Sequence, residues 1–122
     1  ITLVAWGASM TETLAAADIL EEEGVSVEVI DVATVSPVDM ETICASVERT
    51  GRCVIVHEAA RNGGIGASIA ADLYERAYLS LLAPVARVTG YDVTMPYFRN
   101  EQLYLPDVTE VVDAGRATLR YQ

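Results

Sequence analysis

Short apolar runs rich in valine and isoleucine alternate with helix-spaced stretches from one end of this chain to the other. A chain with that rhythm has few ways to bury itself. Ile1 to Trp6 reads as a strand, closed by Gly7. Ser9 stands three residues before Glu12, the spacing of a capping box, and predicts a helix that stops at Gly24. The acids Glu21, Glu22 and Glu23 oppose the dipole at that helix end, so the end is expected to be well solvated. Val25 to Val32 reads as a second strand, and Ser36-Pro37 breaks the chain. Asp39 then caps a helix whose Met40, Ile43, Cys44 and Val47 follow the i, i+3, i+4, i+7 spacing, with Gly51 as its end.

Cys53 to His57 is continuously apolar up to its histidine, as a strand covered on both faces should be. A glycine-rich loop leads to a third helix, with Ile65, Ile69, Leu73 and Ala77 along one side. Val85 to Thr89 is a fourth strand. Gly90 to Leu105 is irregular and aromatic. Pro106-Asp107 opens a last helix, with Glu110 in capping-box register and an apolar face of Val108, Val111, Val112 and Leu119. Strands alternating with helices argue for a single α/β domain over residues 1–122, a mostly parallel sheet between helix layers.

Composition narrows the partners. The net charge is -10, and all eight basic residues are arginine. So acidic a surface repels nucleic acid and anionic membrane and suits a basic partner. The apolar runs are interrupted before bilayer length, and Ile1 to Ala5 lacks the basic flank of a signal peptide. Cys44 and Cys53 lie in apolar surroundings and read as buried free thiols, which fits a reducing compartment.

The chemistry-bearing candidates cluster in "VIVHEAARNGGIGASIAADL", Val54 to Leu73. His57 and Glu58 fall at the carboxyl end of a strand, where open α/β sheets gather ligands. Arg61 follows, and Gly63, Gly64 and Gly66 lead into a helix N-terminus that could hold an anion. The spacing does not match a dinucleotide fingerprint, and a chain without lysine has no P-loop. The favoured reading is that the glycines permit a tight turn and close helix packing. A lone histidine makes neither a triad nor a zinc site, and Cys53 is too far along the strand to pair with it. His57 is therefore expected to be a hydrogen-bonded part of a packed loop or interface. Asp31 could meet a ribose, but a first turn with one glycine serves a pyrophosphate badly, so it reads as an ordinary strand-end acid. The segment Gly90 to Asp107 either packs over its own sheet or forms a subunit interface.

Taken together, "VAWG", "EVIDVATVSPVD", "TGRCVIVHEA", "GGIGASIA", "RVTGYD" and "LYLPD", in that order, resemble the C-terminal domain of the beta subunit of thiamine-diphosphate-dependent 2-oxo acid dehydrogenases. That is the transketolase C-terminal type of domain. The resemblance covers essentially the whole chain, and "VAWG", "TIC" with its following "SV", and "GYD" lean toward the branched-chain enzyme over the pyruvate enzyme. It implies a three-layer α/β/α fold with a mixed sheet, one strand antiparallel, and it implies that the chain is the C-terminal fragment of a longer beta subunit. In such enzymes thiamine diphosphate and magnesium are held elsewhere, so this domain alone is expected to bind neither and to be inactive. The glycine loop becomes a structural loop near subunit contacts.

The partners implied are an alpha subunit and a second beta subunit in a heterotetramer, and the subunit-binding domain of the lipoyl acyltransferase. The expected location is the bacterial cytoplasm rather than the mitochondrial matrix. Tyr97, Phe98 and Glu101, with the last helix, are the expected docking or subunit surface. One departure stands out: where many relatives place an acid before "AP", this chain has Leu82 in "YLSLLAPVAR". Two alternatives remain, a domain of another thiamine enzyme of transketolase type, and a free-standing regulatory module that binds an anion at Gly63 to Gly66.

Overall fold

The computed structural model describes residues 1–122. Four strands, β1 (Thr2–Ala5), β2 (Glu28–Asp31), β3 (Cys53–Ala60) and β4 (Ala86–Gly90), form one sheet in the order β2-β1-β3-β4. Helices α1 (Ser9–Glu22), α2 (Met40–Thr50) and α3 (Ile65–Ala77) connect them, a 3₁₀ turn (Tyr78–Ser80) follows α3, and α4 (Glu101–Tyr104) and α5 (Val108–Arg120) complete the chain.

The strand alternation sorts the core into two layers. Leu3, Ala5, Val54, Val56 and Val88 face α1 and α5, where they meet Ala16, Leu20, Val111 and Val112. Val4, Cys53 and Ile55 face α2 and α3, where they meet Met40, Ile43, Val47, Ile69 and Leu73. Successive side chains of a strand point to opposite faces, so a central strand covered on both sides must be apolar at every position. Residues 53–57 of β3 are all buried. The architecture is the expected α/β/α sandwich.

The expected antiparallel strand is not there. All three strand pairings are parallel, and antiparallel pairing is confined to the isolated bridge between Val35 and Val38. The reason lies in the connections: each of the first three strands is followed by a crossover helix that returns the chain to the same starting edge, and the segment after β4 contains no further strand.

One helix end differs from expectation. Ser9 is not a cap. Gly7, at φ 61, turns the chain so sharply that Ala8 is already helical, and Ser9 lies buried inside the first turn with its hydroxyl unpartnered. The acidic end of α1 is solvated as expected, with Glu21, Glu22 and Glu23 all exposed, and Arg116 of α5 also pairs with Glu23. Elsewhere the capping chemistry is as read. The Asp39 carboxylate accepts from the Thr42 amide at 3.1 Å, Gly51 closes α2 at φ 72, and Asp107 and Glu110 form a reciprocal capping box on α5. No helix is long and apolar enough to cross a membrane.

Candidate functional site

His57 is the fifth residue of β3, on the face that carries Cys53 and Ile55, and is only 1% exposed. Its ring stacks on Trp6, with centroids 5.3 Å apart and planes 24° from parallel. The other side of the ring meets the start of α3. A Cβ on Gly66 would stand 2.3 Å from Nε2, and one on Gly64 would stand 2.8 Å from Cε1 and 2.6 Å from the Ala60 carbonyl oxygen. Only glycine allows the helix to approach this closely.

The hydrogen bonding expected of His57 is not found, because the ring is enclosed by indole, helix backbone and aliphatic side chains. Neither ring nitrogen completes a hydrogen bond. Burial pushes the His57 pKa below the ordinary histidine value; the Ala59 backbone opposes this, and the Arg87 guanidinium adds to it. The imidazole is thus held neutral beside the positive end of α3. Without access to solvent it cannot exchange a proton with a substrate. It also fills the space at Gly64 and Gly66 that a diphosphate would need, so these residues do not fit the phosphate end of thiamine diphosphate. Gly63, at φ 76, makes the turn, and nothing lies within 4 Å of where a Cβ would stand. No three histidine, cysteine, aspartate or glutamate side chains converge as metal ligands.

The remaining loop residues are anchored separately. Glu58 is exposed, beside a small cleft lined also by Ser9, Glu12 and Asp107. Asn62 donates to Asp92 twice, from its backbone amide and its side-chain amide, both at 2.7 Å. Arg61 NH1 donates to the Arg87 carbonyl at 3.1 Å, and Arg87 NH1 donates to the Arg61 carbonyl at 3.0 Å. The glycine loop is thereby fastened to β4 and to the start of the aromatic segment. Cys44 and Cys53 are buried free thiols, and burial pushes the Cys53 thiol up to about 12.

The aromatic segment divides in two. Tyr104 is 7% exposed and packs against Gly90, where a Cβ would come within 2.6 Å of its ring. It holds α4 onto the sheet. Tyr97 and Phe98 point outward, 94% and 78% exposed, and Glu101 is half-buried between the two groups. The reading that the segment packs over its own sheet holds for Tyr104 and not for Tyr97 and Phe98.

A second apolar surface was not anticipated. Tyr74, Tyr78, Leu82, Pro84, Val85 and Tyr121 line a groove of about 530 Å³ along the outer side of α3. The Tyr74 and Tyr78 rings touch, with centroids 4.8 Å apart. Their i, i+4 spacing was visible in the sequence, but it lies off the buried stripe of α3, and nothing local brings Tyr121 beside it. Leu82, in the position where an acid was expected, is one wall of this groove and packs over Gly51.

This geometry is a scaffold with two uncovered apolar faces, and comparison with known proteins gives it a family. Residues 1–111 match the family described as transketolase, C-terminal domain. The chain belongs to that family. It is 50% identical over 121 residues to the pyruvate dehydrogenase E1 component subunit beta of Staphylococcus epidermidis (strain RP62A) and 46% identical over 121 residues to that of Staphylococcus aureus (strain Mu50). Each alignment covers 99% of this chain and 37% of the relative, so the chain spans little more than a third of those proteins. A solved structure described as a split gene transketolase, inactive beta4 tetramer, superposes with a TM-score of 0.82 at 31% identity, over 98% of this chain and 38% of that one.

Proposed function

We propose that this chain is the assembly and docking domain of the decarboxylating component of a 2-oxo acid dehydrogenase complex. The parent enzyme oxidatively decarboxylates a 2-oxo acid with thiamine diphosphate and acylates a lipoyl group. Pyruvate is the substrate class that the named relatives support, in preference to branched-chain 2-oxo acids. The cofactor's diphosphate and its magnesium would be held by other parts of the enzyme, since His57 occupies the one helix N-terminus here that resembles a cradle.

The observation that carries the proposal is the pair of uncovered apolar faces. Monomeric proteins rarely leave contiguous apolar surface of this kind in water, and aromatic residues are enriched where subunits meet. The strip of Tyr97 and Phe98 serves the alpha subunit or second beta subunit of a heterotetramer. The groove of Tyr74, Tyr78, Leu82 and Tyr121 receives the subunit-binding domain of the acyltransferase. A net charge of -10 steers a basic partner to it. With Leu82 in place of an acid, the contact at that point is apolar.

Alanine replacements separate the two roles. Changing Tyr97, Phe98 and Glu101 together should impair assembly of the full enzyme, seen by sedimentation velocity. Changing Tyr74, Tyr78 and Leu82 should leave assembly intact and weaken binding of the acyltransferase domain, seen by titration calorimetry. If both triple variants assemble and bind as the parent does, the docking role is wrong. The structural neighbour supports a transketolase-type parent as the second reading. Release of carbon dioxide from pyruvate by the assembled enzyme distinguishes the two.

A further inference from the structure

Acids outnumber arginines by 18 to 8 in this chain, so an arginine would be expected to find a carboxylate. Arg49 and Arg116 do. Arg61 and Arg87, like the other four arginines, make no ion pair; what sets these two apart is that each makes one hydrogen bond, to the backbone carbonyl of the other. The reciprocal pair spans the glycine loop and β4 and fixes both guanidinium groups at the edge of one cleft. That cleft has a volume of about 330 Å³, and Thr89 and Tyr91 also line it. Asp92, the nearest acid in sequence to Arg87, is engaged by both donors of Asn62, and Glu58, three residues before Arg61, is exposed and lines a different cleft. Glu110 is the one acid in the lining, and its carboxylate already accepts from the Asp107 amide.

We propose that Arg61 and Arg87 form a binding site for a phosphate-class oxyanion, supplied as free phosphate or as the phosphoryl group of a small metabolite. Two guanidinium groups lining one cleft outnumber its single carboxylate, Glu110, and an anion between them offsets their mutual repulsion. Each guanidinium has five N–H donors in a fixed fork and spends one of them here, so donors remain for bidentate contact with a tetrahedral anion. Thr89, whose hydroxyl donates to the Gly90 carbonyl at 2.9 Å, and Tyr91 line the rest of a cleft wide enough for a phosphoryl group and a short ester arm. The site differs from the glycine turn itself, where His57 leaves no room.

The test is titration calorimetry of the full-length protein that carries this chain, at constant ionic strength, with inorganic phosphate, methyl phosphate and acetate. Phosphate should bind, and Arg61→Gln should weaken it about tenfold, the loss of one charge-assisted donor pair. Arg61→Lys, which keeps the charge but not the fork, should recover only part of the affinity. Arg87→Gln should act like Arg61→Gln, with far-ultraviolet circular dichroism confirming the fold. Tighter binding of methyl phosphate than of phosphate assigns the site to a phosphorylated metabolite, and the reverse assigns it to the free ion. Phosphate binding no stronger than acetate binding overturns the proposal, as does phosphate affinity unchanged in folded Arg61→Gln.

Discussion

Gly66→Ala tests the packing at the centre of the domain. The new Cβ would lie 2.3 Å from His57 Nε2, 2.5 Å from Cδ2 and 3.3 Å from the Ile55 Cγ2 methyl. The ring cannot retreat freely, because it is 1% exposed and rests on Trp6. The ring must therefore tilt or α3 must lift from the sheet. Overpacking a dense core costs up to about 3 kcal/mol, while alanine's better helix propensity offsets about 1 kcal/mol, leaving a net loss of about 2 kcal/mol. In a domain of this size that lowers Tm by about 8 °C. Thermal and urea unfolding followed by circular dichroism measure it. The cause is checked in a double-mutant cycle with His57→Ala: once the ring is gone, Gly66→Ala should no longer destabilise. A Gly66→Ala protein as stable as the parent, or an equal loss in the His57→Ala background, would refute the steric argument.

Other outcomes follow from the same structure. His57 has a depressed pKa in the folded state, so the unfolded chain binds more protons below its pKa of about 6.5. Stability should therefore be complete above that pH and fall as pH drops toward the folded pKa; urea midpoints from pH 7.5 to 5.5 should show this slope, reduced in His57→Gln. Ser46 is fully buried and donates to Glu28 at 2.6 Å while its hydroxyl meets Thr2 Oγ1 at 2.7 Å, so Ser46→Ala should cost about 1–2 kcal/mol in chemical unfolding. Asp107→Ala removes the α5 cap and should cost about 1 kcal/mol by the same measurement. Cys53, with its thiol pushed up to about 12 and no exposed surface, should resist a water-soluble disulfide reagent at pH 8 until denaturant is added.

Much of the framework was legible along the chain, because strand and helix periodicity, caps and glycine stops are local signals. β3 was readable as a doubly covered strand from the near-continuously apolar run Cys53 to His57, all of it buried, and the Asp107–Glu110 box from its spacing alone. Ser9 shows the limit of such reading: its spacing to Glu12 is right, but the turn at Gly7 decides where the helix begins, and that turn depends on how β1 meets α1.

Only the tertiary structure could decide the rest. Which face of β3 His57 occupies follows from alternation, but that Trp6 and the start of α3 enclose it depends on the distant end of β1 lying beside β3 in the centre of the sheet. The parallel direction of every strand, the Arg61–Arg87 exchange across 26 residues and the approach of Tyr121 to the outer side of α3 are likewise long-range. Periodicity reports which side of an element is buried. It carries no record of which distant element does the burying, because that choice is made by the packing of the whole chain.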